Sequence, residues 1–371
     1  MDFSFTQEQQ MLLDATQRFL QDHAGLAARK NKNPSTHLST DPLWQGLTEL
    51  GLLALNIPTE YGGLGCGAVE TMLVMQAAGE HLLLAPLRAS AVVCSTLITQ
   101  AATAEECEQW LPALAEGSCI TVLAHDERQT HHDRFAIQTT AVRQGSQLHL
   151  QGQKCMVAYA PSADVLLVTA LFEGQLRLLA VPTSTPGLQR IAAPMVDGCI
   201  AADVILNEVI LPDSALLGNA SIKLALGNAL DRGLAAACAE AVGIFDKLLR
   251  STTDYLTNRV QFGVPIASFQ ALRHRMAEML IHLEQARSMS YLAAVKCDES
   301  DLAERDRALS AAKVVVGQAC RFIGQQAVQL HGGMGVTDEL IISHYFKRLM
   351  VIEMEFGSTD HHLQKFAATL S

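Results

Sequence analysis

Arg-Val-Gln-Phe-Gly-Val-Pro-Ile-Ala-Ser-Phe-Gln, residues 259–270, is the stretch around which this chain is organised. A related stretch, Gln-Leu-His-Gly-Gly-Met-Gly, occupies residues 329–335. Each joins the polar end of a helical pattern to a glycine-containing turn. A cation, an amide and bare backbone are thereby placed where a diphosphate could bind. We therefore interpret both stretches as nucleotide-binding segments.

The hydrophobic pattern on either side of these segments is helical. Apolar residues recur at the 3.6-residue period in four long segments at residues 225–258, 269–297, 302–329 and 338–370. Four long helical segments in succession predict a four-helix bundle. The first third of the chain carries further helical patterns at residues 6–23, 41–52, 67–82, 86–101 and 104–116. In the first of these, Thr6 and Gln9 have the spacing of a capping box.

The middle of the chain has a different texture. Leu148–Leu150, Val165–Ala170 and Leu176–Val181 are short runs rich in β-forming residues, separated by turn residues, and such runs predict strands. The predicted fold class is α+β, mainly α. It comprises an N-terminal α-helical domain (residues 1–117), a middle β domain (118–218) and a C-terminal helical bundle domain (219–371).

Composition argues against several classes of function. The 371 residues carry a formal net charge of −11, which argues against nucleic-acid binding because that needs a basic face. No apolar run reaches the roughly 18 residues of a membrane span. Nine scattered cysteines without a C-x-x-C pair, and a start without a signal core, favour a cytoplasmic protein with reduced thiols. His361 and His362 would point about 100° apart on a helix, so no metal site is predicted.

The order of the motifs resembles that of the acyl-CoA dehydrogenase family over essentially the whole chain. Residues 259–270 match Arg-x-x-Phe-Gly-x-Pro-Ile-x-x-Phe-Gln, and residues 329–335 match Gln-x-x-Gly-Gly-x-Gly. Glu60–Gly63, Gly152–Lys154 and Pro212-Asp213 add further matches. The resemblance implies a helical domain, a β-barrel-like domain and a four-helix bundle. It also implies an FAD enzyme that removes the α and β hydrogens of an acyl-CoA thioester and passes electrons to an electron-transfer flavoprotein.

In this family one FAD lies across two subunits, and the neighbour's bundle holds the adenosine diphosphate part. The resemblance carries this cofactor-binding role to seven positions of the present chain: Arg259, Gln261, Phe262, Gln270, Gln329, Gly332 and Gly333. Arg259 would meet the pyrophosphate as a bidentate cation, and Gln261 would hydrogen-bond it. Phe262 would pack on the nucleotide, and Gln270 would lie near the adenine. The set that serves a neighbour's FAD is complete.

The set that would serve the chain's own flavin ring departs from the family pattern. Residues 123–128, Leu-Ala-His-Asp-Glu-Arg, replace the usual Thr-Glu-Pro run, and no Gly-Ser-Asp follows. The positions of the aromatic that shields the flavin and of the Thr that bonds it hold Met156 and Ala158. Met can pack on a ring, but Ala has no hydroxyl.

Both positions at which the family carries its catalytic base are also changed. The usual glutamate position, counted from Gln329, holds Phe356. The minority position on the first bundle helix, an acid ahead of an arginine, falls at Gly233-Leu234. The nearest carboxylates are Glu355, one residue before Phe356, and Asp231, two residues before Gly233. Each is a candidate base. On a helix, a shift of one residue rotates a side chain by about 100°.

Three interpretations follow. The first is a non-catalytic subunit that completes the FAD site of a heteromer, because the start of the chain (residues 1–3) and its tail (356–363) resemble small subunits associated with pimeloyl-type or steroid side-chain CoA esters. The second is a self-sufficient homo-oligomeric dehydrogenase with Asp231 or Glu355 as the base. The third is a non-enzymatic scaffold that has lost flavin, against which the retained Arg259 argues. The acyl group is not defined by the sequence.

Overall fold

The computed structural model describes residues 5–31, 38–130 and 132–370. The start of the chain that resembles small subunits, residues 1–3, lies outside these ranges. The described chain is mainly helical, with one large sheet in its middle. The predicted fold class is therefore confirmed.

Helices dominate the first third of the chain, as predicted. Helix α1 begins where Thr6 accepts a hydrogen bond from the amide of Gln9 (3.2 Å), and the Gln9 side chain accepts from the Thr6 amide (3.0 Å). The capping box predicted from the spacing of these two residues is thus present. The helices are α1 (Gln7–His23), α2 (Leu26–Asn31), α3 (Pro42–Glu49), α4 (Ala68–Glu80), α5 (Ser95–Ala101) and α6 (Ala104–Ala115), with a π-helical segment at Arg88–Cys94 before α5.

The middle of the chain forms an eight-stranded sheet. Its strands are β1 (Thr121–Ala124), β2 (Thr140–Gln144), β3 (Gln147–Ala158), β4 (Val165–Phe172), β5 (Gln175–Pro182), β6 (Leu188–Pro194), β7 (Ile200–Pro212) and β8 (Leu216–Leu217). The order is β6-β7-β3-β2-β4-β5-β8, and β1 also pairs with β4. Pairs involving β1 or β2 with β4 are parallel, and the other pairs are antiparallel. Strands β3 and β7 shift register between Lys154 and Val157.

The last third of the chain is helical and is interrupted twice. Its elements are α7 (Lys223–Asn258), β9 (Val260–Gln261), β10 (Val264–Pro265), α8 (Gln270–Lys296), α9 (Leu302–His331), α10 (Ile341–Met354) and α11 (Thr359–Ala368). The single helical segment expected over 338–370 is wrong, because α10 ends before α11 begins. Phe356 (φ 58°) and Gly357 (φ 104°) adopt positive φ angles at this break, which an α-helix cannot contain.

Contacts within the chain define two compact units. One comprises Met1–Asn31, Ala68–Leu83 and Leu234–Ser371, and the other comprises Lys32–Gly67 and Leu84–Gly233. The three-domain division at residues 117 and 218 stays a prediction. Within the first unit, α4 and α7 approach closely at two glycines, since a Cβ on Gly79 would lie 2.0 Å from the Glu240 carbonyl oxygen and one on Gly243 would lie 1.9 Å from that of Gln76. No helix in the described ranges is long and apolar enough to cross a membrane.

Candidate cofactor-binding site

Residues 259–270 contain a tight hairpin between α7 and α8. Gln261 pairs with Val264, and Val260 pairs with Pro265, so the loop consists of Phe262 and Gly263 alone. Both loop residues have positive φ angles, 54° and 78°, as a two-residue hairpin turn of the primed type requires. Gly263 adopts this conformation at little cost, whereas a bulky aromatic residue does not.

Phe262 combines backbone strain with near-complete exposure. Its side chain is 92% exposed, and its ring makes an edge-on contact with Phe269, with centroids 6.1 Å apart. Residues held in sparsely populated backbone regions cluster at active sites and ligand-binding segments. The hairpin therefore leaves an aromatic ring exposed to solvent.

A stacked ring pair brings the two sequence motifs together. Tyr255, in the last turns of α7, stacks on His331, the last residue of α9, with ring centroids 4.5 Å apart. The amide of Arg259 hydrogen-bonds the carbonyl of Tyr255, and Gly332 follows His331 directly. Residues 259–270 and 329–333 thus belong to one surface of the first unit. Tyr255 lies outside both sequence motifs, and His331 occupies a variable position of the second.

The polar groups of this surface are open to a ligand. The Arg259 side chain has no hydrogen bond or ion pair with any residue that the structure describes. Gln270 and Gln329 are exposed as well. A Cβ added at Gly332 or Gly333 would meet no other atom within 4 Å. An uncommitted guanidinium beside accessible backbone is a fitting site for the diphosphate of a dinucleotide, so these residues fit the FAD that the resemblance implies.

Two further arginines reinforce the positive charge of this surface. Arg273 donates to the Ala267 carbonyl (2.7 Å), and Arg275 donates to the Gln326 side chain (3.1 Å), so neither is neutralised by a carboxylate through these bonds. Helix α8 also begins without a side-chain cap or an acid in its first turn, which leaves the positive end of its dipole available. No Asp or Glu occurs between residues 259 and 277. This stretch without acidic residues is a sequence feature that favours anion binding, and the motif comparison did not use it.

In the second unit, Met156 lies on the surface of the β domain. It has a φ of 52° and is 53% exposed. Asp203 holds it there, because its carboxylate accepts hydrogen bonds from the Met156 amide (3.0 Å) and from Arg128 (2.6 Å). The neighbouring Ala158 is half-buried at the end of β3. This surface therefore presents a thioether at the position where the family has an aromatic ring.

Lys154 of the Gly-x-Lys motif is a buried structural residue. Its ammonium donates to Glu127 Oε1 (2.7 Å), to Thr169 Oγ1 (3.1 Å) and to the carbonyl of His125 (3.2 Å). Burial lowers the pKa of Lys154 to about 8, against the opposing effect of Glu127. Burial alone would raise the pKa of Glu127, but hydrogen bonds from Lys154 and Thr139 outweigh it and hold that pKa below its usual value. The three donor positions of Lys154 are filled, so this side chain is not available to a ligand.

His125, in the same network, should make stability depend on pH. Burial, reinforced by the charge of Lys154, lowers the pKa of His125 to about 3. On acidification through about pH 6.5, His125 therefore binds a proton in the unfolded chain but not in the folded chain. Stability from this residue is present above pH 6.5 and is lost on acidification, by about 2 kcal/mol between pH 7 and pH 5. We expect His125→Gln to reduce the pH dependence of the urea midpoint over this range. An equal pH slope in both proteins would contradict it.

The candidate base Asp231 lies on α7 within the second unit. Its side chain is almost fully buried and its Oδ1 accepts a hydrogen bond from Arg134 at 2.6 Å. A carboxylate that already binds a guanidinium is oriented by that partner. The geometry directs Asp231 toward Arg134.

The candidate base Glu355 lies at the break between α10 and α11 within the first unit. Its side chain is 24% exposed, and its Oε2 is 3.4 Å from Arg348 Nη2. Arg348 is itself bound through two bonds to the buried Glu240, at 2.5 and 2.9 Å. Phe356, at the usual glutamate position, packs against the hydrophobic core of the helices. An aromatic side chain therefore occupies the usual position of the base.

Comparison with family models matches both helical parts of the chain. Residues 222–371 match the model described as acyl-CoA dehydrogenase, C-terminal domain, and residues 6–118 match acyl-CoA dehydrogenase, N-terminal domain. Acyl-CoA dehydrogenase FadE12 of Mycobacterium tuberculosis is 35% identical over 317 residues, which make up 82% of this chain and 81% of that relative.

Solved structures share the fold over nearly the whole chain. A Tcur3481-Tcur3483 steroid ACAD variant matches with a TM-score of 0.86 at 26% identity, covering 98% of this chain and 97% of its own. The ChsE4-ChsE5 complex from Mycobacterium tuberculosis matches with a TM-score of 0.87 and covers 100% of this chain and 99% of its own. At 22% identity, this second likeness concerns the fold alone.

Proposed function

Because this chain belongs to the acyl-CoA dehydrogenase family of FAD-dependent oxidoreductases, we propose that it is the FAD-clasping, non-catalytic subunit of a heteromeric acyl-CoA dehydrogenase. The exposed hairpin at residues 259–270 carries this proposal. It displays Arg259 and Phe262 outward; among the described residues, Arg259 has no side-chain hydrogen bond or ion pair, and Phe262 is 92% exposed. Side chains held in this way suit a cofactor seated mainly in another subunit.

The residues of this surface would contact different parts of the dinucleotide. Arg259 would neutralise the diphosphate, Gln261 would donate to it, and Gly332 and Gly333 would let it approach the backbone. Phe262 would cover an apolar face of the nucleotide. When bound, FAD supplies the hydride acceptor for the α,β-dehydrogenation of an acyl-CoA. This chain's own contribution is to bind and orient that cofactor.

The state of the candidate bases supports a non-catalytic role. Asp231 is buried against Arg134, and Phe356 occupies the usual glutamate position. A general base must reach the proton that it abstracts. One observation favours the alternative of a self-sufficient dehydrogenase: Glu355 keeps 24% of its side chain exposed and is adjacent to the usual position.

The proposed partner is a second acyl-CoA dehydrogenase chain that carries the base and the flavin-ring site. Of the two matched structures, Tcur3481-Tcur3483 supports a pairing of unlike chains, since its name gives two proteins, whereas ChsE4-ChsE5 supports the fold alone. The former is described as a steroid enzyme, which supports an acyl-CoA substrate from lipid or steroid catabolism. We further propose an electron-transfer flavoprotein as the acceptor of the electrons. A cytoplasmic location agrees with the nine cysteines, which are present as thiols.

Reconstitution tests this proposal. We expect the chain purified alone to be colourless. Stoichiometric FAD binding and acyl-CoA oxidation should appear only when it is coexpressed with an acyl-CoA dehydrogenase chain that is encoded beside it. Asp231→Asn and Glu355→Gln should each leave the turnover of that complex within about threefold of wild type, because neither abstracts the proton. FAD and turnover in the lone chain would overturn the proposal. A loss of several orders of magnitude in one variant, with FAD retained, would identify that residue as the base.

A further inference from the structure

A second polar site lies within the first unit, in a cavity of about 390 Å³. Its wall is formed by α1, the end of α4, α7 and α10. The lining includes Gln17 and Gln21 of α1 and Lys247 and Arg250 of α7. The volume is within the range of about 300–1,000 Å³ that is usual for small-molecule sites. None of these residues belongs to the surface formed by residues 259–270 and 329–333.

The lining of this cavity has one more cationic side chain than it has carboxylates. Arg250 Nη2 lies 2.6 Å from Glu80 Oε1, so the single carboxylate of the lining is already paired. Lys247 is half-buried and makes no hydrogen bond or ion pair with any described residue. A surplus cation stands out in a chain whose formal net charge is −11. The cavity is therefore suited to an anion.

Neutral donors complete the lining. The side-chain amide of Gln17 is half-buried and has no partner in the described part of the chain. Burial lowers the pKa of His81, so its imidazole is neutral at pH 7 and has one N–H to donate. Tyr345 donates its hydroxyl to the carbonyl of Glu80, which ties the end of α4 to α10. An amide, an imidazole and two cations thus line one cavity, which is open to solvent on the side of the exposed Arg250.

We propose that this cavity binds a phosphate group, held by Lys247 and Arg250 and oriented by Gln17. A phosphate offers several acceptor oxygens, which match a lining that is rich in donors. The cavity is several times larger than inorganic phosphate, so there is also room for a small organic ester. The position of Lys247 on α7, twelve residues before Arg259, keeps this site independent of the FAD-binding proposal.

Titration calorimetry on the full chain tests the proposal, with inorganic phosphate and glycerol 3-phosphate as separate probes at constant ionic strength. We expect saturable one-site binding, weakened at least about tenfold by Lys247→Met and several-fold by Gln17→Leu, because a charge-assisted hydrogen bond exceeds a neutral one. Tighter binding of the ester would identify an ester as the ligand, and equal affinities would identify free phosphate.

Lys365→Met is the matched control. Lys365 lies in the same unit and its ammonium pairs with Asp306 at 2.6 Å, away from the cavity lining. This variant should bind both probes like the wild type, and circular dichroism should show all three variants folded. Absence of saturable binding, or equal affinity in the wild type and Lys247→Met, would overturn the proposal.

Discussion

Replacing Arg259 with alanine is expected to weaken FAD binding by the assembled enzyme about ten- to hundredfold, the equivalent of one hydrogen-bonded charge contact of about 1.5–3 kcal/mol. The guanidinium has no competing partner among the described residues, so its removal takes nothing from the folded chain. The weaker binding should therefore appear as FAD that is released on dilution. Flavin fluorescence measures the released FAD, and the ratio of flavin to protein absorbance measures the FAD that the purified complex retains. Thermal unfolding of the apo chain should not change.

Two further substitutions show whether the effect is specific. Arg259→Lys keeps the charge but loses the planar fork, so an intermediate affinity is expected. Arg307→Ala removes an exposed arginine from α9, outside the proposed site, and should leave FAD binding as it is. Unchanged cofactor content in the Arg259→Ala complex, or an equal loss in Arg307→Ala, would remove Arg259 from the cofactor site.

Local sequence signals predicted most of the helices. The Thr6 and Gln9 pair set the start of α1, and the hydrophobic period placed α7, α8 and α9 to within a few residues. These features depend on neighbours in the sequence, which a single chain displays directly. The match of residues 259–270 to a known motif similarly predicted a glycine-containing turn before α8, although not that it would be a two-residue hairpin.

Features that depend on tertiary contacts were not predictable in the same way. The stack of Tyr255 on His331 joins side chains far apart in sequence, and nothing local marks either ring as a partner. The break between α10 and α11 was also missed, because the apolar period continues through Phe356 while its backbone turns to positive φ. Counting along the chain named Glu355 as a candidate base but could not show that it contacts Arg348.

Replacing Arg348 with methionine is expected to have the largest effect on stability, about 3–5 kcal/mol in the free energy of unfolding. Arg348 holds the buried carboxylate of Glu240 through two bonds and also reaches Glu355. Methionine would fill much of the space but would leave Glu240 without its guanidinium. The cost is that of a buried charge deprived of its counter-charge, which exceeds the value of the pair itself. Urea denaturation of the wild type and the variant measures it.

Arg321→Met is the comparison that separates burial from ion pairing. Arg321 also pairs with a buried glutamate of α10, Glu353, at 2.8 Å, but the Arg321 side chain is 53% exposed. Glu353 also accepts a hydrogen bond from the Thr359 amide at 3.1 Å, so the loss of Arg321 should cost less, about 1–2 kcal/mol. Adding Glu240→Gln to Arg348→Met removes the uncompensated charge and should recover part of the lost stability, a coupling that a double-mutant cycle reports. Equal losses in the two arginine variants, or strictly additive effects in the cycle, would show that the buried pair does not hold α10 against α7.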